Sequence, residues 1–250
     1  LATKTLRLTK MIGIGKFFFK YRNNLFIFLY LLLFLPSPEL FTEKVFGPDY
    51  YLIPLLLGLA ITFSGEILRG MTIGLAYIIR GGRDKKVYAE QLVTGGLFSH
   101  CRNPLYVGNI LMLSGVGVLS NSLFYVVVVI PFFLFIYQAI VLAEENFLRN
   151  KFGREFDEYT QRVNRWLIDF RGLGKTLGSM EFNYRRWLIK EYNTLFVWLL
   201  GITALIGYKY GHLFENTNVR NGILGGTVLL LLSMYLLIRY LKKSGTWVNN

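Results

Sequence analysis

Hydrophobic residues along the chain are grouped into six long stretches that polar and basic segments separate. A helix needs about 20 apolar residues to cross the hydrocarbon core of a membrane, and the shorter stretches have to tilt or extend into flanking residues. The pattern predicts an all-α protein, a multi-pass transmembrane helical bundle with about six spans. The stretches cover about 17–35, 51–68, 105–119, 123–142, 194–208 and 222–238.

Local signals refine this bundle. Asn121 and Ser122 leave almost no loop between the third and fourth stretches, which predicts a tight helical hairpin. Pro131 lies in the second arm of the hairpin and should kink it, because proline lacks a backbone donor. The apolar residues Gly70–Ile79 either lengthen the second span or lie at the interface. No small-residue cleavage site follows the first stretch, so we expect an anchored span rather than a signal peptide.

The segment after the fourth stretch has the period of an amphipathic helix. Its apolar positions recur at spacings of 4, 3, 4 and 3, with charged residues between them. Such a helix is suited to anchoring on the membrane surface and packing on the helix ends. A second headgroup-level segment is expected over 181–192, where aromatic and basic residues mix. The apolar positions of the first segment are Phe152, Phe156, Tyr159, Val163 and Trp166.

Composition supports the prediction of a membrane protein, and the distribution of charge indicates its orientation in the membrane. Hydrophobic residues make up 53% of the chain and aromatics 16%, more than one soluble core of this size would bury. The segments 1–22, 69–102, 143–192 and 239–250 hold 25 of the 28 lysines and arginines. The positive-inside rule then predicts both termini in the cytoplasm and an even number of spans. The net charge of +13 reflects contact with anionic headgroups, and no nucleic-acid partner is expected.

Metal and disulfide chemistry are not expected. Cys101 is the only cysteine, so the chain can form neither an internal disulfide nor a cysteine metal cluster. The two histidines, His100 and His212, are too few and too far apart for a histidine-based metal site.

The segment before the third stretch carries the first candidate chemistry. Gly95 and Gly96 allow a tight turn. Asn103 followed by Pro104 is a good helix start, with Asn as N-cap and Pro at the first helical position. With Arg102 beside it, this helix N-terminus can hold a carboxylate or a phosphate. In the simpler interpretation, which physics alone favours, the helix start only begins the third span and Arg102 reaches the headgroups.

Acidic residues at the ends of two apolar stretches are further candidates. Glu144 and Glu145 directly follow the fourth stretch, and acids at membrane depth are functional candidates. They could accept hydrogen bonds from a cationic or hydroxyl-bearing ligand, or they form a solvated pair at a helix exit. Glu66 and Arg69, at helical spacing of three, are expected to form a structural ion pair.

The order of these groups resembles a known pattern. The resemblance is to the isoprenylcysteine carboxyl methyltransferase family and its phospholipid methyltransferase relatives, and it covers about residues 64–166. A gap the length of a helical hairpin separates the piece at 102–108 from the acidic pair at 144–145. The matching pieces are Leu-Val-Thr-Gly-Gly at 92–96, Arg-Asn-Pro-Leu-Tyr-Val-Gly at 102–108, Glu-Glu at 144–145 and Phe-Gly at 152–153, with Gly-Glu-Ile-Leu-Arg at 65–69 before them.

The resemblance implies S-adenosylmethionine as the cofactor, enclosed by the loop, the proline-initiated helix start and the acid after the hairpin. Glu144 would hold a polar group such as the amino group or the ribose hydroxyls, and the helix N-terminus would take the methionine carboxylate. Catalytic residues stay unassigned. The implied cofactor-binding residues are Glu90, Gln91, Leu92, Val93, Phe98, Arg102, Asn103, Pro104, Leu105, Tyr106, Glu144 and Glu145.

The chain departs from the family pattern at three positions. Asn103 stands where His is commoner, and Phe98 stands where the family has Tyr. Ile140 stands where the carboxyl methyltransferases carry an Arg that would meet the substrate carboxylate, which weakens the prenylcysteine assignment in particular. The last two stretches, about 194–238, lie beyond the resemblance.

The function that the resemblance implies is an S-adenosylmethionine-dependent methyltransferase with a cytoplasmic active site and a membrane-embedded or lipid-like acceptor. A prenylated cysteine, an ethanolamine lipid, another lipid and a small thiol stay open as acceptors. The expected organisation is N-terminal membrane helices over 1–63, a methyltransferase core with the hairpin over 64–170, and a C-terminal interfacial segment with two extra membrane helices over 171–250.

Two alternatives belong to other classes. A membrane sterol-type reductase would use the same loop to bind a nicotinamide cofactor, but the acidic pair would repel the cofactor's phosphates. A non-catalytic lipid-binding scaffold would keep the fold without the activity. The basic residues available to the reductase are Arg80, Arg83, Lys85 and Lys86.

Overall fold

The computed structural model describes residues 2–75 and 88–247. Regular structure in these ranges is helical, apart from an isolated bridge between Glu39 and Ser122. The predicted all-α fold is therefore confirmed. The α-helices of the described ranges are α1 (Ala2–Leu31), α2 (Glu43–Phe46), α3 (Leu52–Leu75), α4 (Pro104–Leu119), α5 (Ile130–Phe152), α6 (Arg154–Arg162), α7 (Leu173–Gly178), α8 (Tyr184–Lys209) and α9 (Thr217–Lys243).

Five helical segments of the described ranges are long and apolar enough to cross a membrane, which agrees with the predicted multi-pass bundle. The third predicted span is α4, which has only 16 residues. At a rise of about 1.5 Å per residue, α4 is shorter than the hydrocarbon core, which is roughly 30 Å thick. It packs along its longer neighbour α3. The five segments are Thr9–Phe34, Leu52–Leu75, Tyr125–Phe152, Tyr184–Lys209 and Thr217–Lys243.

Helices α3 and α4 pack closely because glycines face each other along their contact. A Cβ added at Gly65 would lie 2.6 Å from the carbonyl oxygen of Gly108, and one added at Gly58 would lie 2.6 Å from the backbone nitrogen of Leu119. Small residues at such contacts let membrane helices approach to backbone distance. The start of α4 is therefore held at a fixed depth on α3.

The predicted tight hairpin joins α4 to the next membrane helix. Asn121 takes a positive φ of 51°, a conformation that Asn tolerates better than most residues. Its side chain exchanges two hydrogen bonds with the backbone of Phe41, at 2.8 and 2.9 Å. A π-helical turn over Tyr125–Val129 follows, and Pro131 is the second residue of α5, which begins next. The irregularity expected near this proline thus takes the form of a wide turn.

The amphipathic segment after α5 is shorter than predicted. The expected single helix is divided at Gly153, which has a positive φ of 50° and separates α5 from α6. Phe156 and Tyr159 on α6 are buried against the protein rather than presented to a membrane surface. Trp166 lies beyond the end of α6. The predicted amphipathic helix is therefore present as α6, but it begins only after Gly153 and ends at Arg162.

A buried ion pair joins α3 to α8. Nη2 of Arg69 donates to both carboxylate oxygens of Glu191 at 2.8 Å, and the two residues are 3% and 0% exposed. Glu66 Oε2 lies 3.8 Å from Arg69 Nε, so the predicted pair of these two residues is present, at a longer distance. Nη1 of Arg69 donates to the side chain of Asn109 on α4. Three helices therefore meet at one guanidinium.

The region of 181–192 differs from the expected headgroup-level segment. The chain is already in α8 from Tyr184, and Glu191 is fully buried. Arg186 donates to the backbone carbonyls of Ile73 and Gly74, at 2.9 and 2.5 Å, near the end of α3. A cation that satisfies the last carbonyls of a helix also interacts favourably with the helix dipole.

We predict that Arg69→Met lowers the free energy of unfolding by about 3–5 kcal/mol, because it leaves Glu191 buried without its cation. Arg69→Met combined with Glu191→Met should recover a large part of that loss. The measurement is thermal unfolding of the detergent-purified protein. Arg154→Met is the matched control, because Arg154 pairs with Glu158 on the exposed surface of α6, where such pairs contribute little. Equal midpoints for Arg69→Met and Arg154→Met would contradict the structural role of the pair.

Candidate functional site

The start of α4 is built as the sequence predicts, with one difference. Pro104 occupies the first turn and Asn103 the N-cap position, and a turn with Gly96 at a φ of 61° precedes them. The Asn103 side chain makes no capping hydrogen bond. Its Nδ2 instead donates to the carbonyl of Arg165 at 3.1 Å. The amide thus ties the helix start to the segment after α6, a contact that needs only a side-chain donor at this position.

Residues 98–103 are held by the segment 159–176, and we call this arrangement the clasp. The backbone N–H of Arg102 donates to the carbonyl of Asn164, and that of Asp169 donates to the carbonyl of His100, both at 2.9 Å. The thiol of Cys101 lies 3.6 Å from the carbonyl oxygens of Arg165 and Trp166. Backbone pairing of this kind fixes the loop before α4 without any ligand.

Two side chains complete the clasp. His100 is buried, and its Nδ1 lies 2.6 Å from the carbonyl oxygen of Asp169. A carbonyl only accepts, so Nδ1 carries the proton, and Nε2 accepts from the hydroxyl of Thr176 at 2.8 Å. The hydroxyl of Tyr159 donates to the carbonyl of Phe98 at 2.7 Å. His100 is therefore a structural residue that uses both ring nitrogens within the protein.

The acidic pair near the end of α5 is divided between two partners. Glu145 is 6% exposed, and Arg165 donates to both of its oxygens at 2.9 and 2.6 Å. Nη2 of Arg102 lies 3.6 Å from the same carboxylate. Glu144 instead accepts a 2.6 Å hydrogen bond from the hydroxyl of Tyr106 on α4. Neighbouring positions on a helix point about 100° apart, so one acid faces the clasp and the other faces α4.

Arg102 has spare donor capacity. Burial lowers the pKa of its guanidinium, and the carboxylate of Glu145 opposes that shift. Its Nε is buried and has no hydrogen-bond partner among the residues that the structure describes. The Oε2 atom of Glu144 likewise accepts no hydrogen bond within the described part of the chain. A guanidinium and a carboxyl group near the start of α4 thus each have one atom without a hydrogen-bond partner among the described residues.

The predicted site residues are brought together only in part. Asn103 and Glu145 both contact Arg165, Arg102 lies 3.6 Å from Glu145, and Tyr106 pairs separately with Glu144. Pro104 is buried and Leu105 half-buried next to it, and Phe98 takes part through its carbonyl. The other predicted residues precede the clasp: Glu90 and Gln91 are exposed, and Leu92 and Val93 are half-buried.

The stretch before the clasp is attached to the end of α5. The ammonium of Lys151 donates to the carbonyl of Ala89, and the hydroxyl of Tyr88 lies 3.2 Å from Oε1 of Glu90. The role of residues 90–93 stays a prediction. Residues 76–87 lie outside the described ranges. They include the end of the Gly70–Ile79 stretch and the four basic residues that a nicotinamide cofactor would need.

An apolar cavity of about 300 Å³ lies between α4 and α5. The indole N–H of Trp166 donates to Oε1 of Gln138 at 2.9 Å at its edge. Trp166 also belongs to the clasp, where its carbonyl oxygen lies 3.6 Å from the thiol of Cys101, so the cavity and the clasp share this residue. Ile140, by contrast, is fully buried in the hydrophobic core. The lining residues are Val107, Ile110, Leu111, Leu134, Gln138 and Trp166.

Sequence reasoning missed Arg165 and Gln138. The only signal for Arg165 was indirect: a carboxylate at membrane depth such as Glu145 needs a cation. Several arginines and lysines follow α5, and their spacing does not distinguish Arg165 from the others. Gln138 is a lone polar residue within an apolar stretch, which was a visible but unspecific signal.

Comparisons with known proteins define the class of protein. The model of the phospholipid methyltransferase family matches residues 53–155. A probable protein-S-isoprenylcysteine O-methyltransferase of Oryza sativa subsp. indica is 31% identical over 134 residues, which cover 50% of this chain and 68% of the relative. The region 53–155 contains all but the first residue of α3, the hairpin and the acidic pair. The fold and these matches together indicate a family of membrane methyltransferases.

The chain belongs to the family of integral membrane methyltransferases that contains the isoprenylcysteine and phospholipid methyltransferases. Two bacterial relatives are also similar. The cobalt-zinc-cadmium resistance protein CzcN of Cupriavidus metallidurans is 32% identical over 115 residues, 46% of this chain and 51% of the relative. The nickel-cobalt-cadmium resistance protein NccN of Alcaligenes xylosoxydans xylosoxydans is 36% identical over 121 residues, 47% of this chain and 54% of the relative. The matches thus span about half of these two relatives, and no solved structure matches the chain.

We predict that Cys101 reacts slowly with a maleimide in the folded protein. It is 1% exposed, and burial raises the pKa of its thiol, so the reactive thiolate is scarce at neutral pH. Labelling at pH 7.5 should be at least about tenfold slower than in the denatured chain. Glu145→Gln, which removes the charge that holds Arg165, should speed labelling, whereas Glu155→Gln on the exposed side of α6 should not. A gel shift with a polyethylene-glycol maleimide measures both. Labelling of the native wild type at the denatured rate would show that the clasp is not formed.

Proposed function

We propose that this membrane methyltransferase takes the methyl group from S-adenosylmethionine and transfers it to an acceptor dissolved in the membrane. The observation that carries the proposal is the pairing of Glu144 with Tyr106 on α4, together with Arg102 in the loop before that helix and an apolar cavity that shares Trp166 with the clasp. Polar groups of both signs there suit a zwitterionic cofactor, and the cavity suits an apolar acceptor chain. The family of the chain supports the same chemistry.

The residues fit the polar ends of this cofactor. Oε2 of Glu144 has no donor among the described residues and can accept from the amino group or a ribose hydroxyl. The buried Nε of Arg102, which lacks an acceptor within the same ranges, can donate to the methionine carboxylate. The nearby N-terminus of α4 adds partial positive charge. Residues 90–93, 98 and 103–106 would line the rest of the cofactor.

Glu145 would act differently from Glu144. Its two oxygens are engaged by Arg165, and Arg102 lies within 3.6 Å. It would therefore position the clasp and Arg102 rather than contact the cofactor directly. Because Arg102 is already fixed, less conformational entropy is lost when a ligand binds, which is the general benefit of a preorganised site.

The chain's own residues would contribute positioning and the exclusion of water. When bound, S-adenosylmethionine supplies an electrophilic methyl group on a positively charged sulfur. Charge is dispersed as that methyl leaves, so the apolar walls formed by α4 and α5 would favour the reaction. The clasp and Tyr106 would hold the methyl group in line with the acceptor's nucleophile, and such alignment lowers the barrier. An amine acceptor would have to be presented in its neutral form, with a free electron pair.

The cavity and Ile140 bear on the acceptor. The residues around the cavity offer an apolar surface with one fixed amide at Gln138, which suits an acyl or prenyl chain. Ile140 is fully buried among apolar side chains, and its uncharged side chain cannot pair with a carboxylate of the acceptor. We therefore favour a lipid acceptor that carries an apolar chain and lacks a carboxylate at the reacting end.

The sidedness and the organisation of the chain follow as proposals. The site lies in segments that hold most of the basic residues, so the active site and both termini would face the cytoplasm. Residues 64–170 would form the catalytic core, between the N-terminal helices over 1–63 and the C-terminal part over 171–250. Glu191 of that last part pairs with Arg69, so the core would depend on α8 for stability.

We predict that S-adenosylhomocysteine raises the stability of the detergent-purified protein. A ligand present at about 100 times its Kd, and bound only by the folded state, adds roughly 2.7 kcal/mol. Glu144→Gln should weaken binding about 10- to 100-fold, because it removes a charge-assisted hydrogen bond. Thermal unfolding and calorimetric titration measure the two effects without any acceptor.

Glu155→Gln is the control for that measurement, because it removes one acidic charge from the exposed side of α6. It should bind S-adenosylhomocysteine like the wild type. Equal binding by Glu144→Gln and the wild type would overturn the proposed role of Glu144. Stabilisation by a nicotinamide dinucleotide, with none by S-adenosylhomocysteine, would overturn the cofactor and favour a reductase.

A further inference from the structure

A second pocket lies where α8 begins and α9 ends. Its volume is about 430 Å³, and both helices lie outside the region that the phospholipid methyltransferase model matches. It shares no lining residue with the cavity between α4 and α5. The pocket is therefore separate from the proposed cofactor site. Its lining residues are Tyr192, Asn193, Tyr235, Arg239, Lys242 and Lys243.

The charge of this pocket is positive and uncompensated. Arg239, Lys242 and Lys243 are exposed and follow one another within the last turns of α9. No carboxylate pairs with these three side chains in the part of the chain that the structure describes. Like charges so close on one helix repel each other, although the helix dipole favours cations at this end. An anionic ligand would relieve that repulsion.

Aromatic residues hold two of the cations at the pocket. The ammonium of Lys242 lies 5.1 Å from the centroid of the Tyr192 ring on α8. Arg239 Nη1 donates to the hydroxyl of Tyr235 at 3.2 Å. The rings of Tyr192 and Tyr235 are 5.3 Å apart, and Phe196 packs 4.8 Å from Tyr235. The cations are thus arranged over an aromatic contact between the two helices.

The surface next to the pocket is suited to acyl chains. The most apolar window of α9 has none of its residues buried, and Met234, Leu236 and Leu237 are more than half exposed. Cations at the end of a spanning helix, with an unbroken apolar surface beside them, match a molecule with an anionic head and hydrocarbon tails.

We propose that this pocket binds the phosphate group of an anionic phospholipid, whose acyl chains lie along α9. Arg239, Lys242 and Lys243 contact the phosphate, and Tyr192 and Tyr235 form the aromatic side of the site. The lipid bridges α8 and α9, and it therefore stabilises the contact between the two helices. Because α8 also carries Glu191, the bound lipid supports the helix that holds Arg69. The site does not depend on the proposed cofactor.

The test is a titration of the full chain, purified in a non-ionic detergent, with short-chain phosphatidylglycerol. Thermal unfolding gives the apparent Kd, and native mass spectrometry counts the retained lipids. The combined variant Arg239→Gln, Lys242→Gln and Lys243→Gln should bind on the order of 100-fold more weakly, since each cation near an anionic lipid contributes about 1 kcal/mol. The matched control is Lys10→Gln, Lys16→Gln and Lys20→Gln, which removes three exposed charges from α1 and should bind like the wild type.

Two further arms identify the source of the phosphate. Phosphatidylcholine with the same acyl chains should stabilise the protein far less, and inorganic phosphate alone should not reproduce the effect. Stabilisation by inorganic phosphate to the same extent would overturn the lipid as the ligand. Equal affinity of phosphatidylglycerol for the wild type and the variant with three substitutions on α9 would overturn the site.

The single variants Lys242→Gln and Lys243→Gln cover the case in which the combined variant fails to fold, because both side chains are exposed. Each should weaken binding of phosphatidylglycerol about fivefold. Binding should also weaken as salt is raised, because exposed charges are screened. Unchanged affinity in both single variants would equally overturn the proposal.

Discussion

The structure depends on a charged side chain that is buried among membrane helices. A cation in such surroundings is tolerated only when its charge and its hydrogen bonds are satisfied by the protein. Glu191 on α8 balances the charge of Arg69, Asn109 on α4 accepts from its Nη1, and Glu66 lies one turn away on its own helix, 3.8 Å from its Nε. The requirement fixes α3, α4 and α8 relative to one another. Glycine contacts such as that of Gly65 then bring α4 to backbone distance from α3.

The position of α4 determines the site. Its first turn presents Tyr106 to Glu144 near the end of α5. The loop before it is closed by the clasp, in which the buried Glu145 pairs with the half-buried Arg165 and Arg102 lies beside them. The two acids thus have separate tasks, although they are neighbours in the chain. Glu144 has an oxygen that accepts no hydrogen bond within the described residues and would serve the proposed cofactor, whereas Glu145 pairs with the arginines of the clasp.

Much of this architecture could be predicted, because the membrane imposes strong and local rules. The apolar stretches indicated the helices, and Asn121 and Ser122 indicated the hairpin. Pairings set by the folded chain could not be predicted: Glu191 lies 122 residues from Arg69, and Arg165 lies 20 residues from Glu145. Many basic residues could have served either acid. The break at Gly153 was missed because the apolar period continues across it.

The central claim is that a methyl group passes from a cofactor held at Glu144 to an acceptor that resides in the membrane. The most direct measurement supplies tritiated S-adenosylmethionine to the protein in vesicles of a total lipid extract that also contain a prenylated cysteine. The lipids are then extracted into organic solvent. The account predicts tritium in the organic phase with the wild type and little with Glu144→Gln. Label confined to the aqueous phase, or equal labelling of lipid by both proteins, would contradict it.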